Sequence, residues 1–212
     1  MEKGCIFDLD GTLLDSMHVW DDFAYRYLQR NGISTTEALD QVFASCRMEE
    51  AIHYLHVHYV KKSEEEIAKE IYELLCERYR DMPLKSGVKE CILHLREKGI
   101  SMGVLSANHV SVCEAALDKH GIKDCFQDII SCEQLHLSKS DPQCFLQACE
   151  QMGWKIQDTI VIEDALHAIQ GAKKAGAFVV AVKENSQRKD EEEIRRIADV
   201  WIEDMTELEE IM

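Results

Sequence analysis

Asp8 and Asp10 stand one residue apart in the run Asp8-Leu9-Asp10-Gly11-Thr12-Leu13, directly after the apolar stretch Gly4-Cys5-Ile6-Phe7. Two carboxylates on the turn leaving a buried strand repel each other when both are ionised. A cation between them removes the conflict, and a hard, oxygen-liganded ion such as Mg²⁺ suits the pair best. Gly11 lets the backbone turn sharply, and Thr12 adds a hydroxyl beside the acids. Such a turn fits phosphate chemistry. Three more polar groups follow strand-like runs: Ser106-Ala107-Asn108 after SMGVL, Lys139 in the loop before Pro142, and Glu163-Asp164 after TIVI. Each has a plainer use alone, Ser106 as a helix N-cap, Lys139 as a solvated cation and the acids as helix-start charges. Their joint placement matters because ligands of open α/β sheets bind outside the carboxyl ends of the strands.

The elements that must position these residues are legible from periodicity. Residues 3–7 read as a short buried strand. From 16 to about 80 the apolar positions recur at helical spacing, as in Trp20, Phe23 and Tyr27, then Ile67, Ile71, Leu74 and Leu75. Asn31-Gly32 stops one helix, and Ser63 with Glu66 forms a capping-box pattern at the start of another. After Met82-Pro83 strands alternate with helices. Strands are predicted at 101–105, 128–130, 159–162, 177–182 and 200–202, with helices at 110–120, 142–152 and 167–175. This alternation predicts an α/β fold: a Rossmann-like three-layer core with a mainly parallel sheet, plus a helical cap inserted after the first strand. The core takes residues 1–15 and 83–212, the cap 16–82, with hinges near 14–16 and 82–84. The charged run 189–196 reads as a solvated helix face.

At 212 residues and 46% hydrophobic, the chain can bury a full core and a small accessory unit. A net charge of −16 argues against nucleic acid and against anionic membrane as partners. No apolar run approaches spanning length, and the N-terminus reads straight into a strand rather than a signal peptide. A cytoplasmic monomer is expected. Nine cysteines show no framework, and the closest pair, Cys144 and Cys149, lacks a zinc spacing. They are expected to be free, reduced and mostly packed in the core. His53 and His58 fall on different helix faces, so with His56 they are not expected to bind a metal.

Together these features resemble the haloacid-dehalogenase-like hydrolase superfamily, in its phosphatase and β-phosphoglucomutase-like branch with a helical cap. The resemblance runs over nearly the whole chain through Asp8-Leu9-Asp10-Gly11-Thr12-Leu13, Ser106, Lys139 and Glu163-Asp164, reinforced by Ala172-Lys173-Lys174-Ala175-Gly176. It departs at Lys139-Ser140-Asp141-Pro142, where the family usually has a proline after the lysine. The resemblance implies that Asp8 is the nucleophile, forming an aspartyl-phosphate, and that Asp10 is the general acid and base. It implies Mg²⁺ between the Asp8 carboxylate, the Asp10 main-chain carbonyl and Asp164, with Glu163 supporting or binding it. Ser106 and the amides around Ala107 and Asn108 would hold phosphate, and Lys139 would neutralise charge. Cap residues expected to face a substrate are Asp15, His18, Trp20 and Arg47, although Trp20 also reads as core.

The leading expectation is a Mg²⁺-dependent phosphatase acting on a small phosphorylated metabolite such as a sugar phosphate. A β-phosphoglucomutase-type phosphosugar mutase is the alternative. It gains from Ser106-Ala107-Asn108, and loses at Met17-His18-Val19-Trp20 and at Ser45-Cys46-Arg47, which depart from the mutase cap pattern. A catalytically silent binding protein would not need Asp10, and a dehalogenase would not need a second aspartate there. A phosphonatase would need a cap lysine, for which only Lys61 and Lys62 offer themselves in a very polar turn.

Overall fold

The computed structural model describes residues 4–20, 22–43, 46 and 48–212. Strand β1 (Gly4–Phe7) is buried along its whole length and runs into the acidic turn. The chain then enters helices α1 (Phe23–Arg30), α2 (Leu39–Phe43), α3 (Met48–His58) and α4 (Glu64–Tyr79). Ser63 caps α4 with both arms of the capping box in place, which contributes about 1 kcal/mol to such a helix start. Its residues Ile67, Ile71, Leu75 and Tyr79 repeat every four positions and are all buried. No strand interrupts this region among the described residues, as the periodicity requires.

The returning chain is zipped to the outgoing one. Asp15 N–H donates to Pro83 C=O at 3.0 Å and Lys85 N–H to Leu13 C=O at 3.0 Å. Both ends of the inserted stretch therefore meet at one edge of the first turn. The remainder is α5 (Val88–Glu97), β2 (Ser101–Ser106), α6 (Val110–Lys119), β3 (Asp128–Ser131), α7 (Cys132–Leu135), α8 (Pro142–Met152), β4 (Thr159–Glu163), α9 (Leu166–Ala175), β5 (Phe178–Val182), α10 (Glu191–Ile197), β6 (Val200–Ile202) and α11 (Leu208–Ile211).

The six strands lie in the order β3-β2-β1-β4-β5-β6, all parallel. Parallel neighbours require crossovers, and the crossover helices cover both faces. Alternate side chains sort accordingly. Cys5, Phe7, Met102, Val104, Val180 and Val182 join one apolar cluster with α5 and α6. Ile6, Leu105, Val161, Val179 and Ala181 join the other with α8, α9 and α10. This is the expected Rossmann-like α/β core. The buried residues of α1 and α4, with Ile52 and Leu55 of α3, belong to the first cluster, so apolar packing runs without a break from the inserted helices to the sheet.

Boundaries shift by a residue or so. β2, β3 and β4 each extend one position further, taking Ser106, Ser131 and Glu163 into the strand ends. Helix α7 was not foreseen, because four residues carry no helical repeat. Its ends are set locally, by Ser131 as N-cap and by His136 in a left-handed conformation at φ 54°. Lys3, expected to open β1, lies outside the described residues.

Candidate active site

The strand order reverses direction between β1 and β4, which makes their carboxyl ends the switch point where such sheets bind ligands. Asp8 N–H donates to Ile162 C=O at 3.0 Å, so the ladder holds Asp8 in register with the end of β4. Glu163 and Asp164 follow there, and both are buried. Asp8, Glu163 and Asp164 each present a carboxylate oxygen within 4.8 Å of one another.

Lys139 reaches this group from the loop between α7 and α8. Its ammonium contacts Asp8 Oδ1 and lies 2.8 Å from Glu163 Oε1. Burial opposes its charge, but Asp8 and Glu163 outweigh it and hold the Lys139 pKa well above the ordinary value. The loop has little room to slide. A Cβ on Gly171 would meet the Lys139 carbonyl oxygen at 1.9 Å, so only glycine allows α9 to approach this closely. Glu163 uses its other oxygen to accept the amides of Asp164 at 2.8 Å and Ala165 at 2.9 Å.

Burial pushes Asp8 up to about 8, with Glu163 and Asp10 adding to the shift and Lys139 opposing it. Asp164 is raised well above the carboxylate range by burial and by its acidic neighbours. Three buried acids thus share one lysine, and burial favours the protonated forms of Asp8 and Asp164. A donor set made only of hard oxygens, crowded and short of positive charge, fits a cation of the Mg²⁺ type.

Asp10 faces different partners. Its Oδ1 accepts from Ser16 Oγ at 2.5 Å and from the Tyr79 hydroxyl at 2.6 Å, and its Oδ2 accepts from Asn108 Nδ2 at 2.6 Å. Burial raises its pKa, and the three donors pull it back. Its side chain is therefore not in the cluster of the other acids. Gly11, at φ 85°, turns the backbone between the two sets, and a Cβ there would fall 2.7 Å from Asp164 Oδ2. Thr12 Oγ1 donates to Asp164 Oδ1 at 3.0 Å. Lys85 braces the turn from outside, with its ammonium donating to the carbonyls of Gly11 at 2.5 Å and Lys183 at 2.8 Å and to Glu184 at 2.6 Å.

The sequence-predicted residues divide. Asp8, Lys139, Glu163 and Asp164 converge, and Asn108 joins Asp10. Ser106 is buried and its hydroxyl accepts the Asn108 amide at 3.0 Å, while Ala107 is exposed. Asp15 and His18 are exposed. Asp15 lines an outer groove with Leu84, Lys85, Lys183 and Glu203 instead of meeting the acids. Arg47, like Ser45 beside it, lies outside the described residues. Trp20 packs edge-on against Phe23 and Tyr79. Lys62 is engaged by Glu70 at 2.6 Å and Asn31 at 2.7 Å. His53 pairs with Glu64, His56 with the Lys62 carbonyl, and the His58 ring lies against Tyr54. Sequence reasoning missed Ser16, Tyr79 and Lys85. Tyr79 fits the apolar repeat of α4 and read as core; its hydroxyl is the part that repeat does not explain.

A parallel sheet with a buried carboxylate–lysine centre at its switch point defines a class of α/β enzyme. Residues 5–182 match the family model described as haloacid dehalogenase-like hydrolase, and the chain belongs to that family. It is 28% identical over 213 residues to the validoxylamine A 7'-phosphate phosphatase of Streptomyces hygroscopicus subsp. limoneus, covering 98% of this chain and 96% of that one. Hexitol phosphatase B of Escherichia coli (strain K12) is 26% identical over 209 residues, covering 96% and 92%. Among solved structures, CbbY from Rhodobacter sphaeroides in complex with phosphate superposes with a TM-score of 0.80 at 19% identity, covering 98% of this chain and 96% of that chain. These relatives set the chain among the phosphoric monoester hydrolases of the family.

Proposed function

We propose that this protein is a Mg²⁺-dependent phosphatase that hydrolyses a small sugar or polyol phosphate through an aspartyl-phosphate on Asp8. The observation that carries the reading is the convergence of Asp8, Lys139, Glu163 and Asp164 at the switch point. Two relatives named for hexitol and validoxylamine phosphates support a polyhydroxylated leaving group.

Phosphoryl transfer asks for alignment and for positive charge around the equatorial oxygens. Lys139 supplies charge at the point of attack and favours the ionised form of Asp8 against the effect of burial. Asp8 and Asp164 would hold the ion, with the main chain of Asp10. Both oxygens of Glu163 are already engaged, which suits it to orient Lys139 and the loop after β4. When bound, Mg²⁺ supplies charge neutralisation for the phosphate oxygens and for the crowded acids. Asp10 must donate a proton to the leaving alkoxide and later take one from water. Burial keeps its pKa raised, which suits an acid working near neutral pH. Ser106 and the helix start at α6 suit the phosphate oxygens.

Residues 16–82 act in this reading as a cap that excludes water and selects the leaving group. Tyr79, the last residue of α4, supports it by touching Asp10 directly. Among the described residues no helix is long and apolar enough to cross a membrane, and the strongly acidic composition fits a cytoplasmic monomer. A screen of phosphorylated metabolites, with phosphate release measured with and without Mg²⁺, tests the function. Activity that is Mg²⁺-dependent and absent in Asp8→Asn is expected; equal release by that variant removes Asp8 from the mechanism. Conversion of β-glucose 1-phosphate to the 6-phosphate without comparable phosphate release would establish the mutase alternative instead.

A further inference from the structure

All nine cysteines are thiols rather than halves of disulfides, and two that lie twelve residues apart meet in the interior. Cys132 opens α7 and Cys144 lies in the first turn of α8, with their sulfurs 3.5 Å apart. Lys139 stands in the loop that joins those two helices. We propose that Cys132 and Cys144 form a thiol-oxidation site, and that the disulfide made there by a hydroperoxide draws Lys139 away from Asp8.

The chemistry balances with hydrogen peroxide as the oxidant. The Cys132 sulfur attacks one peroxide oxygen, the O–O bond breaks, and hydroxide leaves as water on taking a proton. Cys132 is then a sulfenic acid. The Cys144 sulfur attacks the Cys132 sulfur, the S–O bond breaks, and the second hydroxide leaves with the Cys144 proton as water. Two thiols lose two electrons and one peroxide gains them.

The order of attack follows from the surroundings. Cys132 keeps 5% of its surface exposed and Cys144 keeps none, so a small oxidant reaches Cys132 first. The hydrogen bond with Cys144 lowers the Cys132 thiol, against the cost of burial, and the Lys139 charge adds to the lowering. The same contact raises Cys144, so Cys132 is the thiol of the pair that ionises first.

A disulfide needs its sulfurs about 2.05 Å apart, so the helix starts must close by roughly 1.5 Å at the sulfurs. The loop between them cannot absorb this by sliding. The Lys139 carbonyl already rests on the bare backbone of Gly171, and His136 already holds a left-handed conformation at φ 54°. The adjustment is passed to the Lys139 side chain, which is held at its far end by its bonds to Asp8 and Glu163.

The effect on turnover rests on the proposed phosphatase function; the crosslink does not. The full-length protein is treated with hydrogen peroxide, and disulfides are mapped by peptide mass spectrometry. Hydrolysis of p-nitrophenyl phosphate with Mg²⁺ is followed in parallel. A Cys132–Cys144 linked peptide, two hydrogens lighter than the reduced pair, is expected. Turnover should fall by about a hundredfold, the scale of an ångström-sized misplacement, and return with dithiothreitol. Cys132→Ala and Cys144→Ala should each remain active and lose the peroxide response. Oxidation of exposed Cys46 with no Cys132–Cys144 link overturns the site, whatever the activity. A link formed with turnover unchanged overturns its coupling to Lys139, as does a peroxide response that persists in both variants. A reduced protein inactive on every phosphate ester counts against the phosphatase reading and leaves the mapped link to decide the oxidation site.

Discussion

The turn at the end of β1 and the helices inserted after it handle polar groups in opposite ways. At the turn, acids are buried, crowded and satisfied by partners far away in sequence: Lys139 is 131 residues from Asp8, and Thr12 is 152 from Asp164. In the inserted helices the polar groups mostly satisfy one another near the surface. Glu37 collects Tyr54 and Tyr59, Lys62 joins Glu70 and Asn31, and Arg30 pairs with Glu77. Exposed pairs of that kind contribute little to stability. Tyr79 crosses from one regime to the other. A site that must hold excess negative charge is built on strand ends, where the ladder resists repulsion. The inserted helices carry their polarity where substitution costs least.

The comparison is broken most sharply at Asp8. Asp8→Asn keeps the shape of the carboxylate and loses the nucleophile, so kcat should fall by about four orders of magnitude or more, with the circular-dichroism spectrum unchanged. A drop of only a few-fold would show that the strand-end acids do not carry the chemistry. Lys139→Met removes the cation that pairs with Asp8 and Glu163. Turnover should fall by about 10²–10³, the cost of losing one charged donor at such a centre. If Lys62→Met in the inserted helices costs as much in kcat, the distinction between the regions fails.

Tyr79→Phe sharpens the boundary between them. It removes one donor from Asp10 and leaves the apolar packing of α4. The hydroxyl also accepts from Asn108 Nδ2 at 2.9 Å, and a loss of about tenfold in kcat corresponds to a hydrogen-bond contribution of this size. Because Tyr79 pulls the Asp10 pKa down, the limb of the pH–rate profile that reports Asp10 should move to higher pH. A profile that does not move would reduce Tyr79 to a packing residue.

The smallest effect is on stability. Asp8 titrates near 3.8 when unfolded and about 8 when folded, and Asp164 shifts in the same direction. The folded protein therefore binds more protons than the unfolded chain between those values. Its metal-free stability should fall as pH rises from about 4 to 8 and level off above. Mg²⁺ should raise Tm by several degrees more at pH 8 than at pH 5, because protons no longer compete for the acids. An equal Tm shift at both pH values would mean that the ion binds elsewhere. For a charged surface pair such as Arg30–Glu77, neutralising one partner should move Tm by a degree or two at most.

The sequence by itself determined the parallel α/β core, the helical insertion and the identity of the strand-end acids. Short continuous apolar runs and apolar positions of period 3.6 report burial locally, and the Asp8–Leu13 run sits wholly within one turn. Even Lys139 was visible, through its place in a pattern of strand ends. Ser16 and Tyr79 were not, because nothing near either marks Asp10 as its partner; the backbone pairing of residues 13–15 with 83–85 and the last turn of α4 bring them there. Lys85 was hidden in the same way, since its partners come from the first turn and the end of β5. Asp15 and His18 show the converse: polar residues near the acids in sequence turn outward once the chain folds. The approach of Cys132 to Cys144, rather than Cys144 to Cys149, was settled by the packing of α7 against α8. Residue type and local period are written along the chain, whereas the direction a side chain faces and the charge it meets depend on segments a hundred residues away.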